Sequence, residues 1–229
     1  SYELKWDEAV HPAFAANEKL PKHFERKAFD SAADWIVNSR LLVSPSRKDA
    51  VENALKKNVE IIELPDADAP VGDGSLGIQE GYASGILHDG NQNQRLPLRA
   101  DCNTPSAMVL ALDSLLNKDK RSATISKNLL DYVYFNSGMC GGARADPKHG
   151  AYGLIGWGAI SPAWLVANYG DDNGNDILAT IVSSASLNDP RWDESVMKVL
   201  LANLRTTGKL GFRGDRIDVP ALGEHGWKY

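Results

Sequence analysis

The sequence predicts a mainly α-helical protein: antiparallel helical hairpins in two layers, with one small β-hairpin insert. Three observations carry this. Apolar residues recur at the 3.6-residue period through most of the chain, the connections between these segments are short, and several segments are apolar on more than one face. A helix apolar all round must be buried all round. A concentric arrangement of inner and outer helices satisfies the pattern, and an orthogonal bundle satisfies it too.

Taken in order, residues 1–27 read as an N-terminal extension, and FDSAADWIVNSRLL is the first helix, with Asp30 and Ser31 as candidate caps. RKDAVENALKK is a shorter, more polar second helix. NVEII then breaks the helical rhythm with a strand-like run, and residues 65–97 read as a long loop followed by a β-hairpin around the Asp89-Gly90 turn signal. The hairpin is expected near 77–96. From Pro105 onward helices return: 105–117 with Thr104 as N-cap and Pro105 at N1, then SATISKNLLDYVYFNS, SPAWLVANYG, 173–187 and 192–206.

Composition narrows function by exclusion. The chain of 229 residues has a formal charge of −5 with scattered Lys and Arg, so it lacks the basic footprint of a nucleic-acid binder. No apolar run approaches the ~20 residues of a membrane span. SYELKWDEAVHPAF does not read as a signal peptide. The expectation is a soluble protein, periplasmic or secreted if a leader was removed and otherwise cytoplasmic. Cys102 and Cys140 fit neither a disulfide framework nor a zinc pattern, and no metal or cofactor is expected.

Motif tests are mostly negative. GDGSLG at 72–77 has the letters of a dinucleotide fingerprint, but no strand precedes it and no helix follows, so it reads as a tight loop. DDNGND at 171–176 has its glycine in the wrong place for a calcium loop, and one of Asp171, Asp172 or Asn173 is expected to cap the next helix. Walker A, HExxH and GxSxG sequences are absent.

What remains is carboxylates and arginines at helix entrances and in Gly-rich loops. Asp101 and Asp172 are the first candidate catalytic pair, with Asp215 and Glu80 in reserve. Arg99, Asn103 and Arg213 are candidate substrate-binding residues, joined by Tyr152 and Trp157, whose flat faces and polar edges suit sugar rings; Tyr82 and Phe212 add further aromatic surface. Such loops, seated at one end of a helical scaffold, are where binding residues usually lie. Each alone also has an ordinary reading as a cap or surface ion pair.

The segments RADCN at 99–103, DPKHGAYGLIGW at 146–157, YGDDN at 169–173 and RWDESVMKVLLANLRTTGKLGFRGDRI at 191–217 resemble those of a bacterial family described as six-hairpin glycosidase-like. The resemblance spans roughly residues 30 to 229. It implies an (α/α) toroid and a carbohydrate-active role. A full ring of about a dozen helices exceeds this chain, so the resemblance implies a partial ring, the N-terminal portion of a longer protein. The inner faces of AMVLALDSLL and ILATIVSSASL would then want apolar neighbours, supplied by a homo-oligomer or by a missing C-terminal half.

Three functions stay open. The first is a glycoside hydrolase-like enzyme acting on an oligosaccharide by paired-carboxylate acid/base chemistry. The second is a non-catalytic carbohydrate-binding or scaffold module. A lyase acting on uronic acids, with Arg99 and Arg213 pairing the substrate carboxylate, is the third.

Overall fold

The computed structural model describes residues 14–159 and 162–228. The start of the expected N-terminal extension, residues 1–13, lies outside the described residues, as do Ile160 and Ser161.

The predicted helices form, with shifted ends. The first, α1, runs Phe24–Asn38, so Asp30 is no cap: it sits inside the helix and accepts from Arg26 one turn earlier. After α2 (Lys48–Lys56) comes a small antiparallel sheet, β1 (Ile61–Ile62), β2 (Gly81–Ile86) and β3 (Gln92–Arg95), in the order β1-β3-β2. The expected hairpin is therefore β2–β3, and the NVEII run supplies its third strand. At its tip Asp89 accepts from the Asn91 N–H, closing the turn.

Two long helices form the centre, α3 (Ala100–Asn117) and α6 (Gly170–Leu187). Between them lie α4 (Lys120–Asp131), which runs on into a wider π turn over 132–136, and the short α5 (Pro162–Leu165). The predicted SPAWLVANYG helix is thus corrected: only its first half coils. The second half is β4 (Ala167–Tyr169), which pairs with β5 (Arg216–Asp218), so its backbone groups are satisfied across a ladder. The last helices are α7 (Asp193–Thr206) and α8 (Val219–His225).

Contacts fix the directions. Arg99 approaches Asp172, and Thr104 bonds Asp176, so α3 and α6 run parallel with their N-termini together. Ser122 donates to Asp113 and Ser126 to the Ala107 carbonyl, so α4 descends antiparallel to α3. Arg213, following α7, lies against Gly170 at the start of α6, and α7 is antiparallel to α6. Two parallel inner helices, flanked by α1, α4 and α7, therefore share one core. Ala107, Leu110, Leu129, Leu130, Val133 and Trp192 in it are fully buried.

The buried asparagines explain where the inner helices begin. Asn103 and Asn173 occupy the same place, fourth in α3 and fourth in α6. Asn103 accepts from the Ile78 N–H and donates to the Ile78 carbonyl; Asn173 does the same to Ile155, at 3.1 and 2.9 Å. Each side chain closes a hydrogen-bonded ring with an incoming loop. Gly77, just before Ile78, needs its left-handed φ of 81°, and a Cβ there would stand 2.6 Å from the Tyr132 ring. The glycines of GDGSLG thus serve a tight, packed turn.

Some apolar surface stays open. Leu115 and Leu116 on α3, Leu178 and Ile181 on α6, and Met197, Leu201 and Leu204 on α7 are exposed. Among the described residues no helix is long and apolar enough to cross a membrane.

Candidate functional site

The parallel start of α3 and α6 brings charged side chains to one end of the molecule. Arg99 is the extended residue before α3, held there because Ala100 N–H donates to the Trp157 carbonyl and Ala159 N–H to that of Leu98. Its guanidinium donates to Asp101 Oδ2 at 2.5 Å and to Glu80 Oε1 at 3.5 Å, and Nη2 lies 3.8 Å from Asp172 Oδ1. Glu80 also accepts from Arg95 at 3.0 Å. One arginine therefore joins the two members of the first candidate pair and one reserve.

This placement corrects the expected caps. Thr104 and Pro105 are not N-cap and N1, since α3 starts a turn earlier, at Ala100. Thr104 instead donates to Asp176 Oδ1 at 2.6 Å, deep between the inner helices. Likewise α6 starts at Gly170 behind Tyr169, so Asp171, Asp172 and Asn173 lie in its first turn and none of them caps it. Asp101 and Asp172 still benefit from the positive end of each helix.

The electrostatics are asymmetric. Asp172 is 7% exposed, and burial together with the neighbouring Asp101 carboxyl raises it from 3.8 to about 6, against the pull of Arg99. Asp101 is also raised, first by burial, but Arg99 opposes this by charge and hydrogen bond. The negative charge of Asp101 is, after burial, the next cause that raises the Asp172 carboxyl. Asp101 Oδ1 is buried and receives no donor among the described residues. One turn deeper, Asp176 is fully buried, and its carboxyl is held well above the usual range by that burial.

An aromatic group flanks these carboxyls. Trp157 stacks on Trp164 with centroids 3.8 Å apart and planes 6° from parallel, meets Tyr169 edge-on at 5.1 Å, and has the Arg99 guanidinium 5.2 Å from its ring centre. Trp164, Tyr169 and Asp176 were not among the sequence candidates. For Asp176 the signal was present: it follows Asp172 by one helical turn, and so shares its face.

The remaining candidates lie elsewhere. Asn103 is a backbone clamp, fully buried. Arg213 sits by Gly170 and donates to Thr206 at 2.7 Å, with burial lowering it from its usual value. Asp215 is exposed, and its carbonyl accepts from the Gly170 N–H. Tyr152 borders a separate cavity of about 250 Å³, against α7, with Arg205 over its ring. Tyr82 donates to the Ser39 carbonyl, away from the carboxyls. Among the described residues no group of His, Cys, Asp and Glu is arranged to hold a metal ion.

No protein-family model, curated protein or solved structure matches this chain.

Proposed function

We propose that the protein is carbohydrate-active and glycoside hydrolase-like, with Asp172 as proton donor at the mouth of a partial (α/α) toroid. The observation that carries this reading is a carboxyl raised to about 6, 3.8 Å from an arginine that pairs a second carboxyl. Glycoside cleavage needs one carboxyl protonated and another ionised near neutral pH. Asp172 fills the first role, delivering its proton to the leaving glycosidic oxygen. Because one nitrogen, Arg99 Nη2, lies 2.5 Å from Asp101 and 3.8 Å from Asp172, no scissile bond fits between those two. Asp101 therefore tunes the acid and positions it, and Glu80, on the far side of the Arg99 guanidinium, is the second carboxyl that activates water or attacks the anomeric carbon. Trp157 and Trp164 are the apolar wall for the sugar ring.

The toroid reading is supported by the parallel inner helices, by α4 and α7 antiparallel to them, and by the repeated asparagine clamp. The exposed leucines of α3, α6 and α7 support a further apolar partner, either a second copy or additional helices.

The pairing of Arg99 with Asp101 and Glu80 also favours a second reading, a non-catalytic sugar-binding module in which these carboxylates are held by an arginine rather than by substrate. One assay separates the two. The protein is incubated with a panel of neutral oligosaccharides and uronides, product is followed by chromatography, and binding by calorimetry. Turnover that falls above pH 6 and is abolished in Asp172→Asn and Glu80→Gln supports the hydrolase; unsaturated product would instead identify a lyase. Binding without turnover supports the module, and neither binding nor turnover defeats both.

A further inference from the structure

We propose that the cavity of about 250 Å³ between the 139–154 loops and α7 binds a small oxyanion, a carboxylate or phosphate group carried by a molecule of roughly monosaccharide size. It is separate from the carboxyl cluster and does not rest on the reading of that cluster.

The floor of the cavity includes Arg144, a guanidinium only 5% exposed. Its Nε donates to Asn168 Oδ1 at 2.7 Å and its Nη2 to the Ala167 carbonyl at 3.1 Å. Its face lies on Gly156, where a Cβ would stand 3.0 Å from Cζ, so only a glycine admits it. These contacts fix the fork rigidly. They leave one end unused: among the described residues Nη1 makes no hydrogen bond and no carboxylate forms an ion pair with Arg144, which lines the cavity.

A buried cation without a counter-ion is costly, and natural structures seldom keep one except for a use. Burial lowers Arg144 from 12.5 to about 10, so the group remains charged at neutral pH. The opposite wall adds donors. Ser195 and Lys198, three apart on α7, share the helix face that closes the cavity, and the Tyr152 phenol lies beside them. Lys198 pairs with Glu194 at 2.7 Å, but Glu194 is exposed and outside the cavity, so this screened surface pair can open at little cost. None of the residues lining the cavity is acidic. Burial pushes the Cys140 thiol in the wall up to about 12, which makes it a neutral surface and no nucleophile. The volume is below the ~300–1,000 Å³ of sites for drug-sized ligands, which limits the occupant to a small molecule.

The test uses sodium phosphate, sodium glucuronate and glucose as probes, at constant ionic strength set with chloride, with binding read by calorimetry and by the melting temperature. At least one oxyanion is expected to bind saturably and to raise the melting temperature with concentration, while glucose does neither. Binding of phosphate alone assigns the cavity to phosphate groups, of glucuronate alone to carboxylates, and of both to oxyanions in general. Lys198→Met removes a charged donor and Ser195→Leu fills the space; each is expected to weaken binding at least about tenfold with an unchanged far-UV spectrum. Both are solvent-side changes on α7 that leave the Arg144 contacts intact. The proposal is overturned if neither oxyanion binds saturably, if glucose binds as well as glucuronate, or if both variants bind as the natural chain does.

Discussion

Replacing Asp172 with Asn is expected to stabilise the protein at neutral pH. The carboxyl is raised from 3.8 to about 6 in the folded state, by burial first and by Asp101 second. Below 3.8 it is protonated whether the chain is folded or not, so it costs no stability there. As the pH rises the unfolded chain ionises first, while the folded protein keeps its proton until about 6, so stability is lost through that interval. The loss levels off above it. At ~1.36 kcal/mol for each pH unit, the full difference is at most about 3 kcal/mol. Asn cannot ionise, and its amide can donate to the unpartnered Asp101 Oδ1. Asp176 is common to both proteins and does not confuse the comparison. The variant and the natural chain should therefore melt together near about pH 3.5 and diverge by up to roughly 6–12 °C near about pH 7.5, with the variant higher. Differential scanning calorimetry at a series of pH values measures this directly. A variant that melts lower at neutral pH, or a gap that does not widen with pH, would refute the raised Asp172 carboxyl.

Asn173→Ala removes both hydrogen bonds to Ile155 and leaves a buried N–H and carbonyl unpaired, so the urea midpoint should fall by the equivalent of about 2–5 kcal/mol with an unchanged slope. A loss under about 0.5 kcal/mol would show that the loop finds other partners. Gly77→Ala meets both a left-handed φ of 81° and the Tyr132 ring, and should cost more than about 2 kcal/mol; near-neutral stability in the same assay would contradict the close approach. Burial pushes the Cys102 and Cys140 thiols up to about 12, so both should react slowly with a disulfide reagent in the native protein and fully in urea. Rapid native labelling of either thiol would count against its burial.

The helical character, the β2–β3 hairpin and the crowding of Arg99, Asp101 and Asp172 at helix starts were legible in the sequence, because periodicity and turn chemistry are local. The helix starts were not. Thr104-Pro105 has the chemistry of a cap and a first turn, yet α3 begins at Ala100 because the backbone before it is pinned to Trp157 and Ala159, more than fifty residues away. SPAWLVANYG reads as a helix, and its second half is a strand because β5 offers a ladder. Roles followed the same division. Residue types alone identified Asp101, Asp172 and Arg99 as a group worth testing, but the same reasoning placed Asn103, Tyr152, Arg213 and Asp215 beside them, and the fold sends these to a backbone clamp, a separate cavity, the base of α6 and an exposed loop. It brings in Asp176, Trp164 and Tyr169 instead. A side chain's type and period are fixed by its near neighbours in the chain. Whether a carboxyl keeps its proton depends on what lies within a few ångströms of it, and for Asp172 that neighbour is Asp101, a residue from another helix that only the parallel packing of α3 and α6 brings into contact.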